Sequence, residues 1–88
     1  MIQFEVHRKF KKQFKLFSPK VRKKVSERLK IFVKNPQDKT LRVHSLTGDL
    51  LGLYAFSITG DIRLIFSWQN TDKTKALFLK IGKHSQVY

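Results

Sequence analysis

Two side chains of this 88-residue chain, His44 and His84, are suited to acid–base chemistry, and Asp61 and Arg63 could support them. Because the chain has no Cys, imidazole is its only side chain that titrates unaided near neutral pH. A pair of imidazoles can serve as a general base and a general acid. Arg63 offers a planar fork of donors that suits phosphate oxygens, and Asp61 could orient a histidine or hold Arg63.

The charge of the chain indicates the kind of ligand on which this chemistry would act. Lys and Arg number 19 against 6 Asp and Glu, for a formal net charge of +13. Residues 8–34 carry 12 of these basic side chains, and Glu27 is the only acid among them. Pairing within the chain cannot account for this excess, so we favour phosphate contact over a merely solvated helix face.

Cleavage of RNA by its own 2′-OH would use these groups. The reaction requires a base for that proton, an acid for the leaving 5′-oxygen and cations around the phosphorane. We assign His84 as the general base and His44 as the second proton-transfer group. Arg42, Lys80 and Lys83 are candidate phosphate contacts. No cofactor or metal ion is expected, because the histidines lack ligand-like spacing and the carboxylates are isolated.

The first part of the chain predicts one strand and two helices. Residues 2–6 alternate apolar and polar, as a half-buried strand does. From residue 8 the apolar positions follow a helical period, and Ser18-Pro19 is a cap and first-turn signal for a second helix. Asn35-Pro36 is the stop signal of that helix. Two amphipathic helices joined by a tight break indicate an antiparallel hairpin.

The remainder predicts strands at residues 41–44, 51–58, 62–68 and 76–81. Alternation along these strands places Asp61, Arg63 and Lys80 away from the face that carries Phe66. By the same alternation Leu77, Leu79 and Ile81 share the face of Phe66, opposite Phe78 and Lys80. The sequence therefore predicts a single α+β domain over residues 1–88. It comprises an N-terminal strand, the helical hairpin and a three- to four-stranded, mainly antiparallel twisted sheet. The helices cover one face, and the uncovered face forms a basic groove for a strand.

Three short motifs carry a resemblance to a known family. They are His44-Ser45-Leu46-Thr47-Gly48, then Gly60-Asp61-Ile62-Arg63, and finally Gly82-Lys83-His84 with Tyr88 four residues on. With these motifs the chain resembles the RelE/ParE toxin superfamily of bacterial type II toxin–antitoxin systems, and it is most similar to the YafQ-type mRNA interferases. The resemblance covers nearly the whole chain.

The resemblance implies a metal-independent endoribonuclease that cuts mRNA at the ribosome, acts in the cytoplasm and is silenced by a cognate antitoxin. It also implies that His44, His84, Asp61 and Tyr88 take part in cleavage, and the role of Tyr88 depends on the resemblance alone. Arg63 matches a basic residue that is common near the scissile phosphate in the broader superfamily.

This chain departs from the YafQ pattern at two positions. Ser57 stands where that pattern has a further histidine, and Ile62 replaces an aromatic residue. Since neither change removes one of the four matched residues, the class of enzyme still fits, although the individual roles are less well defined.

Two other functions fit the same charge. One is a ParE-like toxin that binds DNA gyrase without hydrolysis, and the other is a non-catalytic RNA-binding module. Neither needs two proton-transfer groups, so His44 and His84 argue against both. No apolar run approaches the roughly 20 residues of a membrane-spanning helix, and no secretory signal is expected.

Overall fold

The two amphipathic segments form helices α1 (Arg8–Lys15) and α2 (Pro19–Lys34) in the computed structural model, which describes all 88 residues. Ser18 Oγ accepts a hydrogen bond from the Val21 N–H at 3.3 Å, so the predicted cap of α2 is confirmed. His7 caps α1, because its Nδ1 accepts from the Lys9 N–H at 3.0 Å. This third histidine therefore has a structural role.

Five strands form one mixed sheet, in the order β1-β5-β4-β3-β2. Their bounds are β1 Gln3–Val6, β2 His44–Ser45, β3 Tyr54–Ser57, β4 Ile62–Trp68 and β5 Lys75–Lys83. Strand β1 is parallel to β5, and the other pairs are antiparallel. The predicted α+β class is confirmed. The sheet has five strands instead of the predicted three or four, because β1 joins its edge beside β5.

The strand predicted at residues 41–44 is wrong. A 3₁₀ turn occupies Lys39–Leu41, and Arg42 has the left-handed conformation, with φ at 53°. Only His44–Ser45 pairs with β3. Asp38 explains the difference, because its carboxylate caps the turn by accepting from the Thr40 N–H (2.9 Å) and hydroxyl (2.6 Å).

The main core lies between the helices and one face of the sheet. Phe32 of α2 is fully buried at its centre, with its ring centroid 5.0 Å from those of Phe56 and Phe66 and 5.6 Å from that of Phe78. Rings at these distances in stacked and edge-on arrangements pack favourably beyond their burial alone. Helix α2 is thus fixed against β3, β4 and β5.

A β-bulge in β5 changes the alternation that the sequence predicts. Phe66 is opposite Phe78, whereas Ile65 is opposite Lys80, so Leu79 is an extra residue. Phe78 and Ile81 are consequently both buried in the main core, and Leu79 is only half-buried. The expectation that Leu77, Leu79 and Ile81 share one face is therefore wrong. Lys80 nevertheless lies away from the helices, because it pairs with Ile65.

The other sheet face is not bare, contrary to the predicted open groove. A second apolar cluster forms there from Leu46, Ala55, Ile65 and Val87. Val87 belongs to a short helix, α3 (His84–Val87), which the sequence pattern did not predict. In this structure no helix has the length and apolar character that a membrane span requires.

Candidate active site

His44 lies at the edge of the sheet, on the two-residue strand β2. Its Nδ1 is 2.9 Å from the carbonyl oxygen of Arg42, whose left-handed backbone ends the 3₁₀ turn. A carbonyl only accepts hydrogen bonds, so this contact assigns the ring proton of His44 to Nδ1. Nε2 is then the atom through which His44 accepts or releases a proton.

His84 and Tyr88 lie at the two ends of α3. The His84 N–H donates to the carbonyl oxygen of Asp61 at 2.9 Å, and the Tyr88 N–H donates to the carbonyl oxygen of His84 at 3.3 Å. Gln86 Oε1 accepts from the Lys83 N–H at 3.0 Å, which closes the start of the helix. Val87, only 1% exposed, holds the helix against the second apolar cluster.

Tyr88 joins the two histidines. Its hydroxyl lies 3.3 Å from His44 Nε2 and donates to it, given the proton on Nδ1. Its ring stands edge-on to the ring of His84, with centroids 4.2 Å apart and an interplanar angle of 82°. Both histidines therefore contact one side chain. These three rings are called the His–Tyr–His cluster below.

Arg63 lies beside this cluster and is held by the β3–β4 turn. Its Nη1 donates to the carbonyl oxygens of Thr59 (2.9 Å), Gly60 (3.1 Å) and Ile62 (3.3 Å). Burial raises the pKa of the Tyr88 phenol, and the positive charge of Arg63 partly opposes that shift. The phenol is therefore protonated at neutral pH and able to donate to His44.

The other predicted site residues lie at different positions. Lys80 is half-buried on the same face as Arg63, whereas Lys83 pairs with Ile62 and is exposed at the end of β5. Asp61 contributes its carbonyl oxygen to the start of α3. The hydrogen bonds of Arg63 go to carbonyl oxygens and not to the carboxylate of Asp61, so the expected Asp61–Arg63 pairing is not made.

Several solved structures share this architecture. YafQ from Escherichia coli matches with a TM-score of 0.79 at 20% identity, over 100% of this chain and 99% of that one. The E. coli DinJ–YafQ complex matches at 0.76 and 19%, over 100% and 99%. The archaeal RelE–RelB complex from Pyrococcus horikoshii matches at 0.76 and 21%, over 98% of each chain. The chain has the RelE-like fold. No family model and no curated protein matches the sequence.

The RelE-like fold here brings together residues that sequence reasoning placed correctly and others that it missed. Helix α3 was missed because four residues with one apolar side chain carry no periodic signal. Gly82 was noted only as part of a motif, and its packing role was not predicted: a Cβ there would lie 3.1 Å from Gln86 Oε1 and 3.2 Å from Val87 Cγ1. The structure holds no group of three or more His, Cys, Asp or Glu side chains placed to bind a metal ion.

Proposed function

We propose that this protein is the toxin of a type II toxin–antitoxin system and an endoribonuclease that cuts mRNA at the ribosome. The observation that carries this proposal is the His–Tyr–His cluster with Arg63 beside it. Two imidazoles at one place supply a proton acceptor and a proton donor, and a guanidinium supplies charge for phosphate oxygens.

The reaction that suits these groups is transfer of the phosphate to the neighbouring 2′-oxygen. His84 takes the 2′-OH proton while that oxygen attacks phosphorus, and Arg63 stabilises the negative charge of the phosphorane. The bond from phosphorus to the 5′-oxygen then breaks, and His44, which enters the reaction as an imidazolium with protons on both ring nitrogens, gives that oxygen its Nε2 proton. The products are a 2′,3′-cyclic phosphate and a 5′-hydroxyl. The Arg42 carbonyl keeps the Nδ1 proton of His44 in place throughout.

Cleavage of an mRNA that is being translated tests this function. Primer extension in a purified translation system should reveal discrete new 5′ ends, and His84→Ala should reduce them by about 10²- to 10⁴-fold, as for the loss of a general base. His7→Asn is the matched control, because asparagine also caps a helix and His7 lies on α1, outside the cluster. Intact mRNA with folded wild-type protein would favour the non-hydrolytic, gyrase-binding alternative.

A groove beside β1 supports an antitoxin as the second partner. Its floor is apolar and includes Phe4, which is 43% exposed, together with Phe14, Leu29 and Val33. Lysines rim it: Lys11, Lys15, Lys30 and Lys34. An acidic amphipathic segment would match both features. Two of the similar structures are complexes, one of RelE with RelB and one of YafQ with DinJ. We place such a partner of this chain in the groove.

Paired substitutions separate this partner from catalysis. Phe4→Glu with Leu29→Glu should prevent a complex with the cognate antitoxin and leave mRNA cleavage intact. Leu16→Glu is the control, since Leu16 is 87% exposed and lies outside the groove. Neutralisation that survives the paired change would place the antitoxin on another surface.

A further inference from the structure

A basic cleft of about 400 Å³ lies next to the His–Tyr–His cluster, between α2, the 3₁₀ turn and the β3–β4 turn. Four basic side chains line it: Lys24, Arg28, Arg42 and Arg63. The other lining residues are Thr40, Ser57, Ile58, Thr59 and Gly60, so no acidic residue is among them. Sequence analysis named Arg42 and Arg63 but gave Lys24 and Arg28 no role apart from the general charge of the helices.

Two of the four cations of this cleft are held in place before any ligand binds. Arg28 Nη1 donates to the carbonyl oxygen of Thr40 at 3.2 Å, and Arg63 Nη1 donates to the carbonyls of the β3–β4 turn. Lys24 and Arg28 are one helical turn apart on α2 and both are half-buried. Like charges at this spacing destabilise a helix, so their convergence is unfavourable until an anion joins them.

One acid lies near the cleft without lining it. The positive charge of Arg28 contributes to the lowered pKa of Asp38, after the larger effects of two hydrogen bonds from Thr40. Asp38 carries one negative charge, whereas four basic side chains line the cleft. The net positive charge of the cleft therefore remains.

We propose that this cleft binds the phosphodiester backbone of the RNA strand one or two nucleotides from the cleaved bond, through Lys24 and Arg28. Arg42 lines the cleft, and its carbonyl oxygen lies 2.9 Å from His44 Nδ1, so a strand at the histidines continues into the cleft. The lining has hydroxyls and cations but no aromatic ring on which a base could stack. The cleft thus recognises phosphate and ribose rather than base sequence. The RNA identity of the ligand rests on the proposed function.

Binding of a single-stranded 2′-O-methyl RNA, which lacks the attacking hydroxyl, tests the cleft without cleavage. Lys24→Gln with Arg28→Gln should weaken binding at least tenfold at low salt. It should also reduce the slope of log K against log salt by about 1.4, at about 0.7 per phosphate contact. Lys12→Gln with Lys23→Gln removes the same charge from exposed positions outside the cleft and is the matched control. Equal losses in both double variants would overturn the proposal.

A second measurement keeps the proposal testable if the double variant does not fold. In the wild-type protein, addition of the same RNA should shift the NMR signals of the Arg28 guanidinium and the Lys24 ammonium, and unchanged signals would overturn the assignment. Failure of catalysis has a different outcome. If RNA binding depends on the cleft but mRNA is not cleaved, the proposed endoribonuclease activity is contradicted and the RNA-binding cleft is supported. If mRNA is cleaved but RNA binding does not depend on the cleft, the activity is supported and the cleft is contradicted.

Discussion

Tyr88 contacts both histidines through two different parts of its side chain. The hydroxyl reaches His44 Nε2, and the ring edge meets the ring of His84. Because the residue is 41% exposed, these contacts and not complete burial hold it in place. Tyr88 therefore joins His44 and His84, and in the proposed reaction it would act as a positioning residue.

Removal of only the hydroxyl tests this role. Tyr88→Phe keeps the ring against His84 but loses the hydrogen bond to His44, so we expect kcat for mRNA cleavage to fall about 3- to 10-fold with KM unchanged. Tyr88→Ala should cost more, because it removes both contacts. A Tyr88→Phe variant with full activity would mean that His44 needs no support from the hydroxyl.

The phenol of Tyr88 should also lose its proton at a higher pH than an ordinary tyrosine does. Burial disfavours the phenolate and holds the pKa above the ordinary value for tyrosine. In a Tyr54→Phe variant, where Tyr88 is the only tyrosine, ultraviolet absorbance should show tyrosinate at higher pH than in the unfolded chain. The folded state keeps this proton longer, so stability should fall as the pH rises through the raised pKa. Titration at the ordinary value would indicate that α3 is undocked.

Helix α3 shows how an element too short to be stable alone can still position a site. A helix of four residues has no stability in isolation, so its geometry comes from docking. Val87 supplies the apolar contact, and the carbonyl oxygen of Asp61 accepts from the first N–H of the helix. Gly82 lets the helix lie close to β5, because a side chain there would contact Gln86 and Val87.

A methyl group at Gly82 should disturb catalysis more than folding. In Gly82→Ala the new Cβ would meet Val87 Cγ1 at 3.2 Å and displace α3 slightly. We expect cleavage to fall about tenfold or more, since a shift of about 1 Å at reacting groups can cost about 10²-fold. The thermal unfolding midpoint reports stability, and Ser85→Ala on the exposed side of α3 is the control. Unchanged cleavage would show that α3 does not need this close approach.

At the scale of the molecule, a small core holds together a chain with strong self-repulsion. The net charge of +13 is spread over 88 residues, and the buried residues form one main cluster and one smaller cluster. Repulsion of this kind destabilises the compact state and is screened by salt. Both proposed partners, RNA and an acidic antitoxin, would relieve it.

The midpoint of thermal unfolding should accordingly rise with ionic strength. If screening between low salt and physiological salt recovers about 1 kcal/mol, Tm should increase by about 4–8 °C for a domain of this size. Calorimetry in sodium chloride measures this general effect. Inorganic phosphate at equal ionic strength should raise Tm further, since it also occupies the basic cleft. A Tm that is independent of salt would show that the charges lie too far apart to repel appreciably.

Local signals in the sequence were sufficient for the helices and for the α+β class. Ser18-Pro19 and Asn35-Pro36 mark the ends of α2 because caps and proline act on adjacent backbone groups. Alternation placed Arg63 correctly on the face away from the helices. The bulge at Leu79 was not predictable in this way, because it arises from the pairing of residues far apart in the chain. The left-handed Arg42 follows a turn that Asp38 caps locally, a signal that the strand prediction did not use.

The sequence by itself determined which groups are present: two imidazoles in addition to the capping His7, an arginine two residues after Asp61, and a large excess of positive charge. Only the tertiary structure decided that His44 and His84 both contact Tyr88, and that Lys24 and Arg28 join Arg42 and Arg63 around one cleft. The physical reason is that side-chain type is a property of single residues. The distances between β2, α2 and α3 depend instead on the tertiary packing. Phe32 is buried in the main cluster and Val87 in the second apolar cluster, and their burial holds these elements together.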